Sequence, residues 1–309
     1  VGLRRLDRHS AQPPLNVVVG VSLLLAAGEQ KGLHEIEGQA ASSWLGAVFS
    51  FDDEEAAKAI LAKRFEAVVG NPPYITVKDA VLRDEYRRFY KACYREYSLS
   101  APFIERFFLL ARPGGFTGQI TSNSFMKREF GSKVVEDVLP RFDLTLVVNT
   151  AGAYIPGHGT PTVLLFGRNQ KPKEDTLVLG VLSKRGEPST PEDPAKGLVW
   201  TSIVEHWHEV GFDGEYVSVE TIPRNVLNEH PWSLEGGGAG QLKEILQQRG
   251  AAKLEQVASS MGFMCITKQD DVFLQPEHVL RRMRAEVDYI RPAYSGEDLR
   301  DWSTVDTEW

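Results

Sequence analysis

The sequence predicts an α/β fold, a doubly wound sheet with an antiparallel strand pair at its edge. Three observations predict it. Short apolar runs alternate with amphipathic helical stretches from residue 53 to residue 149. Glycine, proline or asparagine stands at the ends of most of these runs. Two further runs, Leu144–Asn149 and Thr162–Phe166, are joined by a Gly/Pro-rich link, Ala151–Pro161, and read as the antiparallel pair.

The elements follow in order. Asn16-Val17-Val18-Val19-Gly20 reads as a buried strand. Residues 53–64 read as a helix with acids in the first turn and Lys58 and Lys63 later. Phe65–Gly70 reads as a short buried strand leaving through a glycine. Arg83, Arg87, Arg88, Lys91 and Arg95, interleaved with Tyr86, Tyr90 and Tyr94, have helical spacing and make a basic stretch. It suits a solvated helix face and phosphate contact equally. Residues 100–112 form an amphipathic helix with Ser100 as N-cap and Pro102 early, stopped by Pro113-Gly114-Gly115. Phe116–Thr121 is the next strand, followed by Ser122-Asn123-Ser124-Phe125. A helix runs from Ser132 to Leu139, where Pro140 ends it.

Beyond Gly167 the composition turns to Lys, Glu, Pro and Gly, with one strand candidate, Thr176–Leu182. The glycine run at 235–240 makes a flexible joint before a helix at 241–249. Residues 253–290 hold helix and strand candidates in no legible order. At 309 residues there is room for two domains. The formal charge of −7 gives no overall pull on nucleic acid. Cys93 and Cys265 are far apart and form no CxxC, which argues against a zinc site or disulfide framework and fits a reducing cytosol. The longest apolar run, Val17 to Ala27, is short of the ~20 residues of a bilayer span and lacks signal-peptide flanks. A start at Val1 and an abrupt end at Trp309 read as an excerpt from a longer protein.

Three weaker signals point nowhere strongly. Gly157-His158-Gly159-Thr160 reads as a glycine link before it reads as a phosphate loop. Glu205-His206-Trp207-His208 lacks a third metal ligand, so no metal is expected. Glu29-Gln30-Lys31 has no Pro-Asp partner and implies no nuclease.

The chemistry concentrates in Asn71-Pro72-Pro73-Tyr74, which follows the strand at 65–70. Ligands of open α/β sheets bind at carboxyl strand ends. Pro72 and Pro73 carry no N–H, so their carbonyls are free to accept. The Asn71 oxygen and the Pro72 carbonyl can hold both protons of an amino group, while Tyr74 stacks on the attached ring. An amino nitrogen conjugated to a ring is a poor nucleophile. Two acceptors favour its pyramidal form, and the work is positioning and electrostatic rather than strong-base chemistry.

This tetrapeptide resembles the catalytic motif of S-adenosyl-L-methionine-dependent amino-group methyltransferases. The stretches GNPPYITVKDAVLRDEYR, YSLSAPFIERFFLLARPGGFTGQITSNSFMKREFG, GAYIPGHGTPTVLLFGRN, RGEPSTPEDPAKGLVWTSIV and HPWSLEGGGA resemble the PglX family, the adenine-specific DNA methyltransferases of BREX (phage growth limitation) type 2 defence systems. The likeness covers most of residues 16–260. It implies part of a class I methyltransferase (Rossmann-like) sheet with helices on both faces, then an α+β region. It also implies a bacterial cytoplasmic enzyme that methylates adenine N6 in double-stranded DNA after flipping the base out, alongside other BREX proteins and away from any membrane. The expected layout is the carboxyl half of a catalytic domain at 1–170, a connecting region at 171–260, and the start of a target-recognition domain at 261–309.

By the same resemblance, Asn71, Pro72, Pro73 and Tyr74 are catalytic. Phe130 is the first candidate to pack on the flipped adenine opposite Tyr74, and Phe125 the second. Arg83, Arg87, Arg88, Lys127 and Arg128 are candidate phosphate contacts. Two departures stand out. The family's glycine-rich cofactor turn is expected upstream of Val1. Val21 occupies the place where the family carries a cofactor-binding Asp, and it cannot accept a hydrogen bond. Residues 1–309 alone are therefore expected neither to bind the cofactor tightly nor to methylate DNA. The rival readings are methylation of another planar nitrogen, in a protein glutamine or an RNA guanine, and a non-catalytic DNA-binding module.

Overall fold

The computed structural model describes residues 22–24, 54–157, 159–252, 254–260, 269–292, 299–300 and 303–304. The expected strand at 16–20, Val21, His158 and Cys265 lie outside these residues. The chain forms two compact units, Val1–Gln248 and Arg249–Trp309.

In the first unit, helix α1 (Glu54–Leu61) leads into strand β1 (Phe65–Gly70). Helices α2 (Ala80–Phe89) and α3 (Ser100–Leu110) follow. Strand β2 (Ala111–Ser122) then runs parallel to β1, with Val68 opposite Thr117 and Gly70 opposite Gln119. Strands β3 (Asp143–Asn149), β4 (Thr162–Arg168), β5 (Leu177–Ser183) and β6 (Val217–Pro223) complete one sheet in the order β1-β2-β4-β3-β5-β6. β4 is antiparallel to both β2 and β3, β5 is parallel to β3, and β6 is antiparallel to β5.

The fold is therefore α/β with a mixed six-stranded sheet, and the antiparallel pair is present. Its place differs from expectation. β4 inserts between β2 and β3 instead of forming an edge, and β5 and β6 carry the same sheet past residue 170. Helix α4 (Leu198–His206) and β6 were not legible in the sequence.

Strand alternation sorts the core into two layers. On one face, α3 and the helical turns that follow β2 pack Ile104, Phe108, Val138, Leu139 and Phe142 against Leu144, Val147, Val163 and Leu165. Phe108 and Phe142 stack with centroids 4.3 Å apart. On the other face, α4 packs Val199 and Ile203 against Val148, Val181, Val217 and Val219. Each such buried aliphatic or aromatic side chain contributes roughly 1.5–3 kcal/mol.

Five local expectations are corrected. β1 is an edge strand among those described, and Val69 is 78% exposed, so the strand is not buried. The basic stretch is helical only to Phe89; Tyr86 and Tyr90 are core residues, and Arg95 has φ 55°. Leu99, not Ser100, is the N-cap of α3, and the Ser98 hydroxyl accepts from Ser100 N at 3.3 Å. α3 ends at Leu110, before Pro113-Gly114-Gly115, which β2 absorbs. The helix expected at 132–139 is present as a π-helical turn, Val134–Val138, flanked by the short 3₁₀ turns Glu129–Gly131 and Leu139–Arg141.

The first unit closes with helix α5 (Ala239–Arg249), which runs into the first residue of the second. Described residues of the second unit include the short helices α6 (Leu254–Val257), α7 (Asp270–Phe273) and α8 (Glu277–Arg282). No helix among the described residues is long and apolar enough to cross a membrane.

Candidate active site

β1 delivers Asn71-Pro72-Pro73-Tyr74 from its carboxyl end. Gly70 lets the Phe107 ring of α3 pack close to the exit, since a Cβ there would lie 2.7 Å from that ring and push it aside. Asn71 and Pro73 are exposed, Pro72 is buried, and Tyr74 is half-buried. The Tyr74 hydroxyl donates to Asn71 Oδ1 at 2.7 Å. Burial raises the pKa of that hydroxyl, so it stays a neutral donor. The exit of the turn is pinned by Leu99 N donating to Ile75 O at 2.9 Å and by a bridge between Thr76 and Ser98.

Because β1 and β2 are parallel neighbours, their carboxyl ends bring the tetrapeptide and Ser122-Asn123-Ser124-Phe125 to the same sheet edge. Ser122 caps the 3₁₀ turn Asn123–Met126, accepting from Ser124 N at 3.2 Å. Asn123 N donates to Pro161 O at 3.0 Å, tying this turn to the start of β4. The two candidate stacking rings differ. Phe125 is 0% exposed and meets Trp232 edge-on at 5.5 Å, while Trp232 N donates to Met126 O at 2.9 Å. A base reaches Phe125 only if the Trp232 segment moves. Phe130 is 6% exposed, in the 3₁₀ turn Glu129–Gly131.

The candidate phosphate contacts also separate. Arg87 pairs with Asp84 at 2.8 Å and Arg88 with Glu85 at 2.9 Å, both within α2. Lys127 pairs with Glu235 at 2.7 Å. Arg83 is half-buried, and its Nε has no hydrogen-bond partner among the described residues. Arg128 is exposed and has no ion-pair partner among the described residues. His206, in the segment Glu205–His208, stacks on Phe212 at 3.8 Å and meets Glu209 at 3.1 Å.

Val21 itself lies outside the described residues, but its successors are held firmly. Arg106 Nε donates to Ser22 O at 3.0 Å, and the Tyr90 hydroxyl donates to Leu23 O at 2.5 Å. Leu23 and Leu24 are buried. The fully buried Arg106 was missed by sequence reasoning; its signal is a charge inside the apolar run FIERFFLL. Gln119 and Thr121 were missed too, as polar residues at inward positions of β2. The described residues thus place an amide oxygen, two N–H-free prolines and a half-buried tyrosine at the carboxyl end of β1, and these can accept the protons of an amino group.

Residues 29–153 match the family model of the Eco57I restriction-modification methylases. Over 322 residues the chain is 39% identical to adenine-specific methyltransferase PglX of Streptomyces coelicolor, an alignment that takes in 99% of this chain and 26% of that protein. The chain is a PglX homologue. It is also 26% identical over 234 residues to the type II methyltransferase M.PaeR7I of Pseudomonas aeruginosa, covering 70% of this chain and 36% of that protein. It thus spans about a quarter of PglX and about a third of M.PaeR7I. The M protein of the type I restriction enzyme EcoKI superposes with a TM-score of 0.37 at 11% identity, over 65% of this chain and 54% of that one. So partial a superposition adds nothing to the sheet topology. The sequence stretches that carried the resemblance, from the tetrapeptide to HPWSLEGGGA, fall within the alignment with PglX.

Proposed function

We propose that the full-length protein carrying this chain transfers a methyl group from S-adenosyl-L-methionine to N6 of adenine in DNA, within a bacterial, cytoplasmic phage-defence system of the BREX type. The observation that carries the reading is the Asn71–Tyr74 turn at the carboxyl end of β1, beside the end of β2, in a chain homologous to PglX. The cofactor, when bound, supplies the electrophilic methyl group. Asn71 Oδ1 and the Pro72 carbonyl accept the two amine protons, which localises the nitrogen lone pair for in-line attack. The same oxygens stabilise the positive charge that develops on nitrogen. No strong base is needed, because the methylated amine is itself acidic.

Tyr74 stacks on the flipped base, with Phe130 as its first partner and Phe125 as the second. Arg128 is the first of the phosphate contacts, ahead of Arg83, Arg87, Arg88 and Lys127, because Arg87, Arg88 and Lys127 already hold carboxylates. Residues 1–170 serve as catalytic half-domain, 171–260 as a connector and 261–309 as the entry to target recognition. Mass spectrometry of nucleosides from cells expressing the full-length protein tests the reading. N6-methyladenine should be present, and Asn71→Ala should slow its formation on the order of 10²–10³-fold. Unchanged methylation in that variant removes Asn71 from the mechanism.

A further inference from the structure

The loop after α2 holds one residue in a conformation that the mechanism above does not use. Arg95 has φ 55°, in the left-handed region that arginine seldom adopts. Two bonds back to α2 keep the loop there. Arg87 Nη2 donates to Arg95 O at 2.7 Å, and the fully buried Tyr97 donates its hydroxyl to Arg83 O at 2.8 Å. The conformation delivers the side chain to the turn that follows β2. Arg95 Nη2 meets Glu129 Oε1 at 3.1 Å. Both side chains are exposed, and an exposed ion pair returns less than a left-handed arginine costs. Stability alone does not account for the pair.

Glu129 opens the 3₁₀ turn Glu129–Gly131, and Phe130 follows it directly. The far end of this turn is fixed by packing, because Gly131 lies against the Phe125 backbone with no room for a Cβ. At the near end, Arg128 N donates to Ser124 O at 2.9 Å and Gly131 N to Arg128 O at 2.8 Å. Those bonds shape the backbone of the turn but tie it only to its own neighbours. The tie to another part of the chain is made by Glu129, the turn's one charged side chain, through Arg95. Phe130 is therefore carried between a rigid backbone contact on one side and a guanidinium from the loop after α2 on the other.

We propose that Arg95 is the positioning residue of the base-stacking turn: by holding Glu129 it fixes the angle at which Phe130 meets the extruded adenine opposite Tyr74. It acts through Glu129 and contacts neither base nor phosphate. The inference rests on the stacking role given to Phe130 above and deepens it.

The test uses the full-length protein and a duplex bearing its own methylation site, located by mapping N6-methyladenine in the host DNA. Arg95→Gly keeps a residue at ease with a positive φ and removes the guanidinium. Glu129→Ala breaks the pair from the other side, and Phe130→Ala is the reference. Arg95→Gly and Glu129→Ala should melt with the parent. In both, kcat should fall on the order of fivefold, while KM for DNA and the slope of log affinity against log salt stay parental. Adding Arg95→Gly to Phe130→Ala should cost nothing further, since the guanidinium works only through that ring. With Phe130→Ala defective, a kcat within about twofold of the parent in both single variants overturns the proposal. A salt slope lower by about 1 in Arg95→Gly also overturns it and makes Arg95 a phosphate contact. So does a lowered melting temperature with activity proportional to folded protein, which assigns a purely structural role. Should Arg95→Gly fail to fold, Glu129→Ala decides by the same readouts. Full methylation by Phe130→Ala sinks the underlying stacking reading instead, whatever the Arg95 variants do.

Discussion

The Tyr74 hydroxyl donates to Asn71 Oδ1 over 2.7 Å, so the motif's own ring occupies the acceptor assigned to the substrate amine. A carboxamide oxygen has two lone pairs and can serve both groups. Stacking, not the hydroxyl, is the function assigned to Tyr74. Tyr74→Phe is expected to keep most N6 methylation, because it retains the ring and releases Asn71. Tyr74→Ala should lose the ~1–3 kcal/mol of base stacking, read as weaker binding of a duplex with an extruded adenine analogue. Equal losses in the two variants would show that the hydroxyl matters and the ring does not.

Gly131 admits no side chain. A Cβ there would lie 1.7 Å from the Phe125 carbonyl oxygen, which is backbone and cannot rotate away. Gly131→Ala should destabilise the protein by about 3 kcal/mol or more through overpacking. Denaturant unfolding checks this, and a midpoint equal to the parent's contradicts the packing described for the turns after β2.

Arg128 should be felt by DNA more than its neighbours are. Arg128→Ala is expected to weaken binding across all sequences and reduce the slope of log affinity against log salt by about 1. Arg88→Ala, which gives up a partner already engaged with Glu85, should leave the slope nearly unchanged. Titrations at several salt concentrations distinguish the two; a reversed order would move the phosphate contact onto α2.

Alkaline pH should loosen the fold through its buried tyrosines. Burial pushes the Tyr86 hydroxyl up to about 12 from the ordinary 10.0, and raises Tyr90 and Tyr97 as well. The folded chain keeps protons there that the unfolded chain releases. Their contribution is therefore complete below about pH 10 and declines as pH climbs toward about 12. Melting temperatures across that range should fall, and Tyr86→Phe should fall less steeply than the parent. Parallel curves for the two would show that Tyr86 does not titrate as a buried phenol.

Much of the sheet was legible because its strands are apolar runs closed by turn formers. The parallel pair β1–β2 and the strands β3, β4 and β5 were all marked this way. β6 was not, because Val217–Pro223 mixes Ser, Glu and Thr into a strand with its outer half exposed. The position of β4 was not legible either, since strand order is a property of pairing across the whole sheet and leaves no periodicity in the strand itself. At the candidate site, Asn71-Pro72-Pro73-Tyr74 was readable because prolines and an amide have few other uses at a strand end. Sequence placed Phe130 ahead of Phe125 as the stacking ring but carried no sign of how each is enclosed; the Trp232 ring that meets Phe125 edge-on comes from about a hundred residues later in the chain. Arg106 and Gln119 were hidden for the same reason. Each is a polar residue on an inward face, and its meaning depends on what the fold brings to it.

The placement of β4 also orders events in time. β2 ends beside the candidate site, yet one of its two neighbours is residues 162–168, which are made only after β3 and the Gly/Pro-rich link have been synthesised. Until then the nascent chain presents Gln119, Thr121 and a bare row of backbone donors and acceptors along β2. Until residues 162–168 pair with it, that flank of β2 is open to wrong pairing, so folding of this sheet waits on a segment about forty residues further along the chain.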